Sequence, residues 1–127
     1  MIEQTILCAL LHDEEYTRKV IPFIKTEYFE DLTDRYIFDV IKDYIDEYNS
    51  LPTKQALKIS FDTNDRISED QFKLICEKID GFVFEPNTDI DWLTDNTEKF
   101  CQDRAVYNAV RESITILDGN SKQKDKG

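Results

Sequence analysis

Apolar residues recur at helical spacing along almost the whole of this chain. Between Thr33 and Asn49 the side chains of Tyr36, Ile37, Val40, Ile41, Tyr44, Ile45 and Tyr48 fill an arc of roughly 200° on a helical wheel, and Asp39, Lys42, Asp43, Asp46 and Asn49 gather on the other side. The pattern predicts a wide-faced helix at the centre of a bundle, with the Thr33 hydroxyl as its N-cap. Upstream, Ile2 to Leu11 reads as a first helix with Ile2, Ile6, Leu7, Leu10 and Leu11 inward. A second helix is expected from Asp13 to Ile24, bent or ended early by Pro22, whose ring lacks the amide donor and clashes with the preceding turn. Lys25 to Asp31 is then a connector carrying Tyr28 and Phe29.

Downstream, Leu51-Pro52-Thr53 stops the central helix and starts the next, with Thr53 as N-cap and Ala56, Leu57 and Phe61 inward. Asp62 to Ile67 is polar and reads as a loop. Ser68 and Gln71 stand at capping-box spacing and open a helix to Asp80, with Phe72, Ile75, Cys76 and Ile79 on its apolar side. Gly81 is expected to end it in the left-handed conformation. A loop from Phe82 to Thr88 leads to a last helix from Asp89 to Asp118, about 45 Å long at about 1.5 Å per residue. That exceeds what a small body needs, so part of it should project.

On this last helix Leu93, Phe100, Tyr107 and Ile114 recur every seven residues, and Val110 and Leu117 form a second series beside them. Seven-residue repeats keep one seam against a partner helix, so these six are the candidate self-association or partner interface. A narrow second face carries Cys101, Ala105, Ala109 and Ile116, small enough for another helix to come close. Both faces also fit core packing within one chain. The tail after Gly119 has no apolar residue and reads as disordered or as a linker.

The fold class expected is therefore all-α: a globular helical head over residues 1–62, a projecting helical hairpin over 68–119 with a long C-terminal helix, and a tail over 120–127. Size and composition agree with one such domain. The chain has 127 residues with only three glycines and three prolines, which leaves little material for β-hairpin turns. No apolar run is long enough to span a bilayer, and the first residues lack the cationic leader of a secretory signal. A cytoplasmic protein is expected, with no membrane partner. Cys8, Cys76 and Cys101 are odd in number and widely spaced in apolar helical settings, which favours buried thiols over a disulfide framework.

Charge narrows the partners. With 27 acidic and 16 basic side chains the formal net charge is −11, and phosphate binding depends on Lys and Arg displacing counterions. Strong independent nucleic-acid binding is not expected; proteins, basic ones among them, are the better partners. The same charge also serves solubility alone.

Catalytic chemistry finds little footing. A Walker A loop is absent, since no glycine is followed by lysine. The single histidine, His12, and the scattered cysteines offer no zinc-ligand spacing. His12 is expected near the end of the first helix, where its protonated form suits the dipole. Asp91, Asp95 and Glu98 could share one helix face as a carboxylate metal site, but acidic residues early in a helix are favoured by the amide dipole alone. No catalytic, cofactor-binding or metal residue is assigned.

The opening helix IEQTILCALLHDEEYTRKVIPFI, the connector EYFEDLTDRYIFDVI and the LPTKQAL step together resemble the N-terminal domain of DnaB-type replicative DNA helicases. The resemblance rests on Tyr28-Phe29, Arg35 with Ile37-Phe38, and Pro52-Thr53, and covers most of residues 1–119. The segment DIDWLTDNTEKFCQDRA looks like the helicases of T-even-type bacteriophages. Its motifs are packing signatures, and the RecA-like motor of such helicases has no counterpart here.

What the resemblance implies is a non-catalytic assembly domain. Such domains pair through their hairpins into a collar, often a trimer of dimers, above a hexameric motor ring, and primase docks on that collar. The implied partners are further copies of the chain, primase and a helicase loader, in the cytoplasm of an infected bacterial host. ATP and magnesium would belong to the motor of the parent, an ATP-dependent 5'-3' helicase. The alternative is a stand-alone phage adaptor or inhibitor that binds replication proteins. A third reading, a small helical hydrolase using Asp91 and Glu98, would require divalent metal.

Overall fold

A computed structural model describes the backbone of residues 1–126 and the side chains of residues 1–119. Among these every element is helical: α1 (Ile2–His12), α2 (Glu14–Val20), a 3-10 turn (Thr26–Tyr28), α3 (Leu32–Tyr48), α4 (Lys54–Asp62), α5 (Glu69–Asp80) and α6 (Ile90–Lys126). The all-α class and the long C-terminal helix are as the pattern predicts. No helix is long and apolar enough to cross a membrane among the described residues.

Polar residues at the helix ends set most of the boundaries. Asp13 separates α1 from α2 and accepts the Tyr16 amide on Oδ1 at 2.8 Å. α2 ends at Val20, before Pro22, as the missing amide requires. Thr53 caps α4 through the Ala56 amide, and Ser68 and Gln71 close a reciprocal capping box on α5. The cap of α3 is Asp31, where Thr33 was expected. Its carboxylate stands one residue before the helix and accepts the amides of Thr33 and Asp34, satisfying two orphan donors with a charge that the helix dipole favours. Nor does Gly81 turn left-handed: its φ is −77° and its amide folds back on the Glu77 and Lys78 carbonyls. The left-handed terminus belongs to Asn49 at φ 52°, which tolerates that region better than most residues.

α3 is the hub, lying against α1, α4 and α5. Its buried arc is turned from the one the pattern suggested. Ile37, Phe38 and Ile41 are fully buried and Ile45 nearly so, while Tyr36, Val40 and Tyr44 are half-buried and Tyr48 is 59% exposed. Phe38 enters the core because Phe29 meets it, with ring centroids 5.3 Å apart. The tyrosines sit at the rim, where a phenol keeps its hydroxyl in water. Asp34, on the inward arc, is buried as well. Both of its oxygens accept from Gln4 Nε2 at 3.0 and 3.1 Å, and Lys78 Nζ lies 2.5 Å from Oδ1. One carboxylate thus ties α1, α3 and α5 together.

Over residues 68–119, where a projecting hairpin is expected, the two helices meet different neighbours. α5 lies against α3 and α4, whereas α6 lies against α1, α2 and the 3-10 turn. Ile75 and Ile79 of α5 join the core beside Leu57 and Phe61 of α4, and Leu93 and Cys101 of α6 join it from the other helices' side. α6 also runs past the Asp118 end expected for it, reaching 37 residues, about 55 Å. A disordered tail or linker is expected at 120–127; the described backbone is helical to Lys126, and the side chains there lie outside the described residues.

Candidate assembly surface

The length of α6 makes sense in two halves. Its first half is held to the head by a graded series of contacts. Leu93 is fully buried. Thr97, also buried, donates from Oγ1 to the Leu93 carbonyl at 2.7 Å and lies 2.6 Å from the Tyr16 hydroxyl. The Thr97 proton is thereby committed to its own helix, so Tyr16 is the donor in the bond that joins α2 to α6. Burial pushes the Tyr16 phenol well above its ordinary range, against the opposing effect of the Thr97 hydrogen bond, so it keeps the proton it donates. Phe100 stacks obliquely on Phe29 at 6.0 Å. Cys101 is buried, and burial first, then the Glu98 carboxylate, push its thiol up to about 11.

A polar clasp follows where the apolar contacts stop. Three successive carbonyls of the connector, Glu27, Tyr28 and Phe29, accept from Asn108 Nδ2 at 3.1 Å, Arg104 Nε at 3.0 Å and Arg35 Nε at 2.5 Å. Arg104 also pairs with Glu30 at 2.8 Å and covers one face of the Tyr107 ring, 4.7 Å from its centroid. Three carbonyls that a short 3-10 turn leaves without helical partners are thereby satisfied, and the direction of α6 is set as it leaves the head. Apolar spacing does not single out Arg104 and Asn108. They fall four residues apart on the same side as Thr97, and a polar pair continuing an inward-facing stripe was the available signal.

From Val106 onward nothing among the described residues covers the side of α6 turned away from the head. Tyr107, Val110, Ile114 and Leu117 are 50%, 54%, 55% and 67% exposed, and Val106 joins them at 65%. On a straight helix these five span about 100° of arc, turned roughly 120° from the side that faces the head. Of the six residues expected at an interface, the structure brings these four together. The other two lie on the head side: Leu93 is core and Phe100 packs against it. The seven-residue series is one stripe along α6, but the head covers its first half. On the narrow face, Cys101 is likewise core, and Ala105, Ala109 and Ile116 are exposed.

Metal chemistry gains no support from the geometry. Asp91, Asp95 and Glu98 are all exposed, and among the described residues no group of three His, Cys, Asp or Glu side chains could hold an ion. His12 closes α1, with Nδ1 2.7 Å from the Cys8 carbonyl, so that nitrogen carries the proton.

Comparison with known proteins identifies the chain. The family model described as the DnaB-like helicase N terminal domain matches residues 1–72. Over 113 residues the chain is 34% identical to a DnaB-like replicative helicase of Enterobacteria phage T4, a match that covers 89% of this chain and 23% of that protein. The chain belongs to the DnaB-like helicase N-terminal domain family. In this DnaB-like domain the family model takes in α1 to α4 and the start of α5, the head as far as the capping box. The longer match necessarily includes Tyr107 and Val110. The chain spans about a quarter of the length of that relative, and the nucleotide-binding loop of a motor is not among its residues.

Proposed function

We propose that this domain is the non-catalytic assembly unit of a hexameric replicative DNA helicase, building the collar through the free half of α6 and offering a docking surface to primase or a helicase loader. The observation that carries the reading is the stripe Tyr107, Val110, Ile114 and Leu117: apolar, contiguous and exposed, on a helix already fixed to the head by Arg104 and Asn108. Four large apolar side chains on one exposed helix face mark a contact surface. Packing along a seam repeated every seven residues supplies the geometry. Membership of the family supports the partner being another copy of the chain, and the acidic surface, at net charge −11, agrees with protein rather than phosphate contacts in this part of the helicase. ATP hydrolysis and strand translocation fall to a motor outside this chain.

Reading the gene past Gly127 tests the larger claim. A downstream nucleotide-binding loop, and a full-length ring that falls apart on Tyr107→Asp, are the expected results. A stop codon there would replace this reading with that of a stand-alone adaptor that binds replication proteins.

A further inference from the structure

The side of α3 that the core leaves uncovered forms a second surface, separate from α6. Val40, Asp43, Tyr44, Glu47 and Tyr48 of α3 and Ser60 of α4 line a groove of about 240 Å³. Tyr44 and Tyr48 stand one helical turn apart with ring centroids 4.7 Å from each other, and Tyr48 is 59% exposed. Beside Ser60, Ile59 is exposed to 58%. Two aromatic rings and the aliphatic side chain of Val40 make an amphipathic trough.

Its charge is one-sided. Asp43, Asp46 and Glu47 take part in no ion pair among the described residues. The cations of the neighbouring elements are engaged elsewhere: Lys58 with Asp80, Lys54 with the Phe82 carbonyl, and Arg18 with Glu14 and the Asn49 carbonyl. Lys42 lies about 200° around the helix from Val40. Carboxylates beside two adjoining, mutually tilted phenol rings are complementary to a guanidinium or ammonium, which gains both a charge-assisted hydrogen bond and a cation–π contact. The same carboxylates repel phosphate, which argues against a nucleic acid or an anionic lipid surface.

We infer that the α3–α4 groove docks an Arg- or Lys-bearing amphipathic segment of a partner protein, its cation held between the Asp43 and Glu47 carboxylates and the Tyr44 and Tyr48 rings. The segment's aliphatic residues rest on Val40. This docking does not depend on α6 and stands apart from the assembly reading.

The test is a nuclear magnetic resonance titration of the chain with a short helical peptide carrying Arg and Leu four residues apart, and with its twin bearing Glu for Arg. The expected result is shifts confined to Val40–Ser50 and Ile59–Ser60. Affinity should fall at least tenfold in Asp43→Asn/Glu47→Gln and several-fold in Tyr48→Ala, with no binding of the Glu twin. All three side chains are exposed, so thermal melts should match those of the parent. Shifts spread over the whole acidic surface and indifferent to these substitutions, equal binding of the twin, or shifts centred on Tyr107–Leu117 would each overturn the inference.

Discussion

Arg104 of α6 donates its Nε hydrogen to the Tyr28 carbonyl at 3.0 Å, across 76 positions of sequence. The same guanidinium reaches Glu30 and lies over Tyr107, so one side chain closes the connector, anchors the helix and begins the exposed stripe. Replacing it by methionine keeps the aliphatic stem and removes the donors. The loss expected is about 1 to 3 kcal/mol, because the Tyr28 carbonyl is left without its partner. Glu30 is mostly exposed and its share is small. Amide hydrogen exchange should rise along α6 beyond Cys101 while α3 stays protected; uniform loss of protection would mean that Arg104 only adds to global stability.

The buried bond between Tyr16 and Thr97 makes a sharper prediction. Thr97→Val keeps the shape and leaves the Tyr16 hydroxyl buried without an acceptor, at a cost of about 1 to 3 kcal/mol. Tyr16→Phe removes that orphan, so the double variant should recover part of the loss. A urea-denaturation cycle of the four proteins reads the coupling directly, and strict additivity would show that the bond contributes nothing.

Asp34 and Lys78 present the charged counterpart. Lys78→Ala strands a carboxylate that is only 3% exposed, with Gln4 as its remaining side-chain donor, and should cost roughly 3 kcal/mol. Asp34→Leu combined with Lys78→Met, apolar replacements of similar volume, should restore much of it. Thermal melts of the single and double variants decide the matter; equal losses in both would show that the pair itself, and not the stranded charge, sets the energy.

Cys101 gives the fold an alkaline limit. Its thiol is pushed up to about 11 by burial and by Glu98, above the ordinary value of about 8.5 in an unfolded chain. The native state therefore prefers the neutral thiol. Its contribution is complete below about pH 8.5 and is lost as pH rises toward 11, on the order of 3 kcal/mol in all. Urea midpoints measured across that window should fall more steeply for the parent than for Cys101→Ala. Parallel curves would contradict the assignment.

Much of this fold can be read in the chain because its cues are local. Asp13 and Pro22 bound α2, Thr53 opens α4, and Ser68 with Gln71 opens α5, each through backbone groups within four residues. What escaped is non-local. Phe38 is buried because Phe29 comes back over it, and Asp34 because Gln4 and Lys78 reach it from other helices. Spacing alone counted the tyrosines of α3 as core, though the packed layers end short of Tyr48. On α6 the seven-residue stripe was legible as a stripe. Where the head stops covering it was not, since that depends on the clasp of Arg104 and Asn108 on a connector some 80 residues earlier.

In the proposed assembly the uncovered half of α6 joins copies of this domain. Sedimentation equilibrium of the chain, alongside Tyr107→Asp and Ile114→Asp with circular dichroism as a check on folding, tests it most directly. The expected result is concentration-dependent association of the parent that either substitution abolishes at unchanged helical content. A chain that stays monomeric up to millimolar concentration, or that associates regardless of both substitutions, would contradict it.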